Sequence, residues 1–373
     1  MPRLGSSLSL TALAASLAAC GTPSAGGACA ETFDMLVATS DYSSTQVGGV
    51  SLDGRAALSG GVDLGRDPAL SLSRGRAFLV ARDVDALFEL DPRCGKGVGR
   101  TSTLDFGDGG AAVASDPYDV GVAADGALVV ARFGAPSLMF VHGGATDRLD
   151  LSSLDDDGNP DMDAVRVIGA KAFVALGRLD GASKYRSTRP SAMAIVDVAA
   201  RAVVRAVPLA ARNPFGAMVE GADGALWMAA PGNFSASNEL DAGLLRFDTK
   251  AETSELVARE GLLGGSPTEV AVDAASTCAA VIVADPTPNI NRTRAVVVTV
   301  ATHAVAELVG WTQGFDLRAL AFVKDKLVVG DRRVVSGRGY ALHVLRRDPA
   351  GPCRFVADGD LFVSGPPIAV RTL

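Results

Sequence analysis

The sequence predicts an all-β fold built from repeated units of four antiparallel strands, and three observations support this prediction. Short apolar runs alternate with polar residues at a period of two, as in half-buried strands. A strand–turn–strand unit, clearest in residues 120–132 (VGVAADGALVVAR), recurs at intervals of roughly 50 residues. Its central Asp125-Gly126 pair is typical of a two-residue hairpin turn with positive φ angles. An all-strand repeat of this length is typical of propeller blades.

Counting the repeats predicts seven blades. Relatives of the unit lie at residues 71–82, 166–178, 219–231, 272–285 and 321–332. Each is followed by a second pair of apolar strands, which gives six four-stranded units at about 67–105, 115–152, 162–209, 213–262, 265–309 and 316–363. Residues 35–64 hold three strands, and a last apolar strand begins at Pro367. We therefore expect a seven-bladed β-propeller of four-stranded antiparallel blades over residues 34–373, closed by the C-terminal strand completing blade 1.

The start of the chain predicts export and a lipid anchor. Residues 1–19 combine a short basic start with an apolar run that is too short to cross a membrane, as in a signal peptide. Leu17-Ala18-Ala19-Cys20 resembles the bacterial lipobox, which implies cleavage before Cys20 and lipidation of its sulfur. In proteins with this motif, a glycine in the position of Gly21 implies transport to the outer membrane. Residues 20–33 are mostly small, so we expect a flexible tether. An ordinary signal peptide with an incidental cysteine is the alternative.

Four cysteines remain in the predicted mature chain: Cys29, Cys94, Cys278 and Cys353. An even number in an exported chain predicts two disulfides, and the sequence leaves three pairings open. Blade order favours Cys29–Cys94 and Cys278–Cys353, because the second pair falls in neighbouring blades. The spacings match no zinc motif.

Composition and motifs argue against several functions. The formal net charge is −7, and no run of Lys or Arg suits a nucleic-acid backbone, so we expect no nucleic-acid partner. No G-x-S-x-G, HExxH or glycine-rich phosphate loop occurs. The three histidines, His142, His303 and His343, lie in or beside predicted strands, where core or surface roles are expected.

Residues 116–130 (DPYDVGVAADGALVV) resemble the YVTN-type, or YncE-like, propeller repeat. The pattern is a proline, an apolar strand, Asp-Gly and a second apolar strand. Pro68, Pro214 and Pro267 occupy the same position in other repeats. The resemblance implies a propeller fold for nearly all of the mature chain but does not specify an activity.

The ends of the second strands are candidates for a binding face. Connections from these strands gather on one face of a propeller, around the channel, and long loops on a rigid scaffold often bind ligands. The residues that fall in these positions, or at the start of a blade, are Arg82, Arg132, Arg178, Asp180, Asn213, Asp285, Asp331 and Arg332. They predict a mixed-charge ring suited to a polar or anionic ligand. Solvated strand ends are the alternative.

An acidic segment between blades 3 and 4 is a candidate Ca²⁺ site. Its oxygen-bearing side chains are those of Asp155, Asp157, Asn159, Asp161 and Asp163, which are the hard ligands that Ca²⁺ requires. The segment departs from the EF-hand pattern, because Gly158 comes early and Arg166 stands in place of the bidentate glutamate. A solvated acidic turn is the alternative.

Taken together, these features predict a monomeric cell-envelope lipoprotein whose propeller binds a small polar ligand or an envelope protein without catalysis. No cofactor is expected, apart from a possible Ca²⁺. The alternative is a Ca²⁺-dependent hydrolase of the lactonase propeller type. Resemblance to those enzymes would assign the ion to Asn213, Asn233, Glu269 and Asp285. A quinone-cofactor dehydrogenase is a third possibility, disfavoured because Trp227 and Trp311 are the only tryptophans.

Overall fold

A computed structural model describes residues 29–106, 112–234 and 239–372. Within these ranges the chain forms seven four-stranded antiparallel sheets and one two-stranded ribbon. The predicted all-β, seven-bladed propeller is therefore confirmed. The predicted signal peptide (residues 1–19), Cys20 and residues 21–28 of the predicted tether lie outside the described residues. Among the residues described, no helix is long and apolar enough to span a membrane.

The strands follow one another blade by blade. Blade 1 contains β1 (Met35–Ser40), β2 (Thr45–Val50) and β3 (Ala56–Gly61). Blade 2 contains β4 (Pro68–Ser73), β5 (Arg76–Ala81), β6 (Ala86–Leu90) and β7 (Gly97–Ser102). The ribbon of β8 (Asp105–Phe106) and β9 (Ala112–Val113) follows. Blade 3 contains β10 (Pro117–Val122), β11 (Leu128–Arg132), β12 (Ser137–His142) and β13 (Ala145–Asp150). Blade 4 contains β14 (Met162–Ile168), β15 (Lys171–Leu176), β16 (Ala192–Asp197) and β17 (Ala202–Pro208).

The second half of the chain continues this order. Blade 5 contains β18 (Phe215–Glu220), β19 (Leu226–Ala230), β20 (Gly243–Asp248) and β21 (Thr253–Arg259). Blade 6 contains β22 (Ser266–Val272), β23 (Cys278–Ala284), β24 (Thr293–Thr299) and β25 (Ala304–Val309). Blade 7 contains β26 (Leu317–Val323), β27 (Lys326–Val334), β28 (Tyr340–Arg347) and β29 (Phe355–Val363), and β30 (Pro367–Thr372) returns to blade 1. Within the described ranges, the helical elements are one α-turn, α1 (Glu260–Leu263), and 3₁₀ turns at Val62–Leu64, Arg82–Val84, Ser152–Leu154 and Gly181–Ser183.

The C-terminal strand closes the ring. β30 pairs antiparallel with β1, from Met35 opposite Thr372 to Thr39 opposite Pro367. It thereby becomes the innermost strand of blade 1, in the position that β4, β10, β14, β18, β22 and β26 hold in the other blades. Each innermost strand contacts the innermost strands of both neighbouring blades, so the seven enclose a central channel. The core lies between blades, where apolar side chains from facing sheets interdigitate, as Phe173 and Phe247 do between blades 4 and 5.

The Asp125-Gly126 turn differs from the prediction. Only Gly126 of the pair adopts a positive φ, at 87°. The Ala123 N–H donates to the Ala127 carbonyl at 2.8 Å, and the Gly126 N–H donates to the Ala123 carbonyl at 3.0 Å. Three residues, not two, therefore connect the last paired positions of the hairpin. A β-turn followed by a left-handed glycine matches the right-handed twist of the strands, which explains why glycine follows aspartate here.

Two disulfides join the four described cysteines, Cys29 to Cys94 and Cys278 to Cys353. The favoured pairing is the one found. The first bond fixes the end of the predicted tether, where Phe33 is also buried and its N–H donates to the Arg93 carbonyl at 2.9 Å. The second bond links β23 of blade 6 to the β28–β29 connection of blade 7. It therefore couples two neighbouring blades.

A shift of register recurs in the innermost strands. In five blades, pairing skips the second residue of the innermost strand, as at a β-bulge. The skipped residues are Tyr118, Asp163, Thr268, Arg318 and Ile368. A bulge turns a side chain out of the regular alternation, and four of these five residues line a cavity in the channel.

Candidate functional site

The channel contains a cavity that opens on one side of the propeller, here called the loop face. The loop face carries the connections from the second to the third strand of each blade and the connections between blades. The cavity encloses about 770 Å³ of empty space, including its opening. Its walls combine apolar groups, among them Leu70, Phe215 and Ile368, with the charged groups described next.

Arg82 lies at the mouth of the cavity. Its guanidinium carbon is 3.7 Å from the centre of the Tyr118 ring, and the guanidinium donates to the Tyr118 hydroxyl. Asp67 and Asp116 approach the same guanidinium at 3.4 and 3.3 Å. Burial raises the pKa of Asp116, and the Arg82 charge opposes that rise. Arg82 is therefore held in place by an aromatic face and two carboxyl groups.

Asp119 ties three blades together inside the channel. It accepts hydrogen bonds from the Arg166 guanidinium at 2.8 Å and from the Val165 N–H at 3.0 Å, both on β14. The Ser71 hydroxyl, on β4, donates to its other oxygen. The charge of Asp119 is thus compensated by a neighbouring blade, and its position is fixed from both sides.

Glu269, Arg318 and Arg371 also line the cavity. The Arg371 guanidinium donates to Glu269 Oε1 at 3.5 Å. Burial raises the pKa of Glu269, while Arg371 and Arg318 lower it. Arg318 lines the same cavity, yet among the described residues it forms no hydrogen bond and no carboxylate oxygen lies within 4.0 Å of its nitrogens. Among the described residues, Arg318 therefore acts on Glu269 through its charge and not through a hydrogen bond.

Asp163 is the most deeply buried carboxyl group of the channel. Its residue is 3% exposed, and no described group hydrogen-bonds to Oδ2. Burial raises its pKa well above the usual range, because no full counter-charge replaces the lost hydration. Arg82, Asp119 and Glu269, which line the cavity, are among the charges that act on it.

Two residues of the predicted binding face lie near the cavity. Arg82 lines it, and Arg332 stacks over the ring of Tyr42, a lining residue, at 4.8 Å. Arg132 is completely buried; it donates to the Ser137 carbonyl at 2.7 and 3.1 Å. The sequence predicts that Arg132 belongs to the mixed-charge ring of the binding face, but in the structure its side chain is buried inside blade 3.

The other five predicted residues have local partners on or beneath the loop face. Arg178 donates to the Pro190 carbonyl at 3.1 Å, and Asp180 caps the following turn by accepting from the Ser183 N–H at 3.2 Å. Asn213 donates to the Gly232 carbonyl at 2.7 Å, and Asp285 pairs with Arg292 at 2.7 Å.

Asp331 is fully buried beneath the loop face, between Arg333 at 2.6 Å and His343 at 3.1 Å. Asp331 and Asp360 raise the pKa of His343, on which burial acts in the opposite direction. The eight predicted residues therefore do not form one ring.

The acidic segment does not bring its five candidate ligands together. Asp155 pairs with Arg189 and lies 3.6 Å from Arg178. Asp163 belongs to β14 and the channel, whereas Asp157 is exposed. The one group of three acidic or cysteine ligands within 4.8 Å in the described chain is Cys29, Asp91 and Cys94, and its cysteines are joined in a disulfide. Binding of Ca²⁺ to the segment stays a prediction, which titration with calcium chloride would test.

The four candidate ligands of the lactonase alternative are also separated by their partners. Glu269 is in the channel with Arg371, while Asn233 accepts from the Ser187 N–H at 2.8 Å. Asn213 and Asp285 have the loop-face contacts given above. Nothing in this arrangement gathers the four around one ion.

We expect Asp161→Asn to stabilise the protein at pH 8 but not at pH 4. Burial raises the pKa of Asp161 to about 7, although the Leu179 N–H, which donates at 2.7 Å, lowers it. The folded state therefore binds more protons than the unfolded state, whose aspartate has a pKa of about 3.9, and stability falls as pH rises between those values. Asparagine removes this loss and suits the φ of 50° at this position. Thermal unfolding at several pH values measures the difference; an offset that does not change with pH would contradict the assignment.

The sequence contained a signal for the channel residues that the repeat analysis did not use. The residue skipped at the bulge is always the second residue of the innermost strand. In three of the five cases it directly follows the proline of the repeat. Tyr118, Thr268 and Ile368 follow Pro117, Pro267 and Pro367. Reading this one position along the repeats would have found Asp163 and Arg318 as well.

The loop face also carries an unusual set of exposed apolar side chains. Of the large apolar residues exposed in the described parts of the chain, all but Val98 and Val204 lie on it. They are Tyr42, Val62, Val84, Val113, Tyr185, Phe234, Leu240, Leu262, Ile290, Phe315 and Val334. Tyr185 also contacts Phe133, which stacks on Tyr118 at the cavity mouth, and Phe234 packs edge-on against the lining residue Phe215. Tyr185 and Phe234 are thereby connected to the residues that line the cavity.

Comparison with solved structures finds the same fold. Apo AztD from Citrobacter koseri aligns with a TM-score of 0.54 and 14% identity, over 91% of this chain and 97% of that one. A streptogramin B lyase aligns with a TM-score of 0.52 and 12% identity, over 80% and 90%. Dihydro-heme d1 dehydrogenase NirN aligns with a TM-score of 0.51 and 13% identity, over 94% of this chain and 77% of its own. No protein-family model and no curated protein sequence matches the chain. The class shown is the seven-bladed β-propeller; the YncE-like resemblance stays a prediction.

Proposed function

We propose that this chain is a cell-envelope lipoprotein whose propeller is a non-enzymatic binding module, and that its loop face binds a protein partner. One observation carries the proposal: the exposed large apolar side chains of the described chain concentrate on the loop face. Exposed apolar groups that gather on one face of a protein favour an interaction surface there. Aromatic residues such as Tyr185 and Phe234 are the side chains that contribute most at protein interfaces.

The charges of the loop face favour a protein over a lipid surface. Exposed carboxylates, among them those of Asp41, Asp63, Asp83 and Asp156, lie among the apolar residues. An anionic membrane surface would repel these groups, whereas a protein can present basic side chains to them. An apolar patch with a polar, charged surround is the usual anatomy of a protein interface.

Crosslinking at defined positions tests this proposal. A photoreactive amino acid at Tyr185 or Phe234 in the full chain, in its native envelope, should give one discrete protein adduct. The same group at Lys250 or Thr302, in turns on the opposite face, should not. The crosslinked protein, once purified, should bind the Tyr185→Ser/Phe234→Ser variant at least tenfold more weakly than wild type, as for interface aromatics. Val204→Ser, on an outer strand, is the matched control. Equal crosslinking from both faces, or adducts with lipid alone, would reject the assignment.

The anchor rests on the resemblance of residues 17–20 to the lipobox. Mass spectrometry of the mature protein should find an N-terminal acylated Cys20, and Cys20→Ala should release the protein from the membrane fraction. Anchoring by more than one acyl chain is stable, since each buried CH₂ contributes about 0.8 kcal/mol. A mature form that begins at another residue would refute the anchor without affecting the loop-face proposal.

A further inference from the structure

A second pocket, here called the basic pocket, lies on the loop face between blades 4 and 5. It forms where the β15–β16 loop meets the β19–β20 loop, and the Ser187 N–H donates to Asn233 Oδ1 at 2.8 Å between the two loops. The pocket encloses about 1090 Å³ of empty space, including its opening. Among the described residues that line it, none carries a carboxyl group and three are cationic: Lys184, Arg186 and Arg212.

Two of the three cations have no carboxylate partner. Lys184 and Arg186 are exposed, and neither forms an ion pair within the part of the chain that the structure describes. Asp180, on the same loop, instead accepts from the Ser183 hydroxyl at 2.7 Å. The charge of the third cation, Arg212, is compensated by two carboxyl groups, those of Asp241 at 2.6 Å and Glu239 at 3.0 Å. The basic pocket therefore presents two free positive charges on a chain whose formal net charge is −7.

Two exposed aromatic side chains flank these free charges. Tyr185 lies between Lys184 and Arg186 in the chain and is 61% exposed, and Phe234, which directly follows a lining residue, is 40% exposed. Lys184 and Tyr185 have left-handed φ angles of 61° and 58°, which residues other than glycine seldom adopt. The Tyr185 N–H fixes this backbone by donating to the Asp180 carbonyl at 2.9 Å. Cationic and aromatic groups are thus held side by side at the surface.

We propose that the basic pocket binds an acidic segment of the partner protein, in which carboxylates lie beside an apolar side chain. The carboxylates pair with Lys184 and Arg186, and the apolar side chain packs on Tyr185 and Phe234. Charge complementarity selects this occupant, because the two cations would repel a basic segment. The exposed carboxylates of blades 1 and 2 call for basic groups elsewhere in the same partner. This inference rests on the proposed function, since it specifies the chemistry of the protein that the loop face binds.

Defined peptides test the basic pocket without the partner. The probe is the fluorescein-labelled peptide Asp-Glu-Phe-Glu-Asp, and the comparison peptides are Asn-Gln-Phe-Gln-Asn and Lys-Arg-Phe-Arg-Lys. Fluorescence anisotropy with the purified protein should show saturable binding of the acidic peptide. We expect this binding to be about tenfold tighter than that of the neutral peptide, because hydrogen bonds to charged groups are stronger than those between neutral groups. The basic peptide should bind more weakly still.

Charge reversal locates the binding. Lys184→Glu/Arg186→Glu should weaken the acidic peptide by about tenfold or more, because two attractions become two repulsions. Arg74→Glu/Lys250→Glu is the matched control, since it reverses one arginine and one lysine that are also exposed and lie in turns on the opposite face. This control changes the net charge equally and should leave the affinity nearly unchanged. Circular dichroism of both variants should match the wild type, so that a change in affinity reports on the pocket.

Three results would overturn this inference. They are no saturable binding of the acidic peptide up to about 1 mM, the range of weak specific sites, equal weakening by the two double variants, and tighter binding of inorganic phosphate than of the acidic peptide. The crosslinking experiment above keeps the two proposals separate. A discrete protein adduct from Tyr185 without peptide binding would retain the interface and reject its acidic occupant. Peptide binding at the pocket without an adduct would support the pocket and reject the interface.

Discussion

Deletion of residues 367–373 is expected to abolish cooperative unfolding of the propeller or to cause aggregation. The deletion removes β30, which buries Ile368, Ala369 and Val370 and pairs along β1. Burial of an apolar side chain contributes about 1.5–3 kcal/mol and a backbone hydrogen bond about 0.5–1.5 kcal/mol net, so the strand contributes on the order of 10 kcal/mol. Whole domains are stable by about 5–15 kcal/mol, so little stability would remain. The exposed edge of β1 would also be free to pair with other chains.

Thermal unfolding followed by circular dichroism, with size-exclusion chromatography, measures this effect. Thr372→Ala is the matched control, because Thr372 is exposed at the end of the same strand and should change stability by less than about 0.5 kcal/mol. A truncated protein that melts like the full chain would show that β30 is dispensable and that closure does not stabilise the ring.

The Cys278→Ala/Cys353→Ala variant is expected to lose about 4 kcal/mol of stability. The bond closes a loop with a sequence separation of 75 residues, for which the chain-entropy account gives about that value. The melting temperature should fall by on the order of 5–10 °C, given the usual relation for domains of a few hundred residues. Addition of a reductant to the wild type, which breaks both disulfides, should give a fall at least as large.

The Cys29→Ala/Cys94→Ala variant provides the comparison for this bond. Its sequence separation is 65 residues, so the entropic effect in the unfolded chain is similar. Cys29, however, precedes β1, and without the bond the preceding segment can fray while the blades stay intact. We therefore expect a smaller loss than for the first pair. Equal losses would show that the tether is as firmly integrated as blades 6 and 7.

Blade number and closure followed from the sequence because they depend on local patterns. The period-two alternation gave the strands, Asp125-Gly126 and its relatives gave the turns, and the unpaired three strands at residues 35–64 required a fourth. The predicted blade limits agree with the observed strands to within a few residues, as at 316–363 against Leu317–Val363 for blade 7. The predicted two-residue length of the Asp125-Gly126 turn was wrong, because an Asp-Gly pair suits both two-residue and three-residue hairpin loops.

The candidate site was only partly predictable. Arg82 was found because it follows the second strand of its blade, yet Arg132 at the same position of the next blade turns inward to Ser137. The position of a residue at the end of a strand does not show whether its long side chain points to the channel or packs inside the blade. Asp163 was chosen as a loop ligand because the acidic residues beside it are close in sequence. The bulge that places it in the channel depends on pairing between strands, which a single repeat does not reveal.

The pairing of Met35 with Thr372 places the start of β1 directly across from the end of β30. A short turn joining these two residues would convert β30 and β1 into an ordinary hairpin. New chain ends could then be made at the Gly143–Gly144 turn of blade 3. In such a circular permutant the inner strand of blade 1 would be a sequence neighbour of its partner. Because contacts near in sequence form faster than distant ones, the rearranged protein should refold more quickly than the natural connectivity allows.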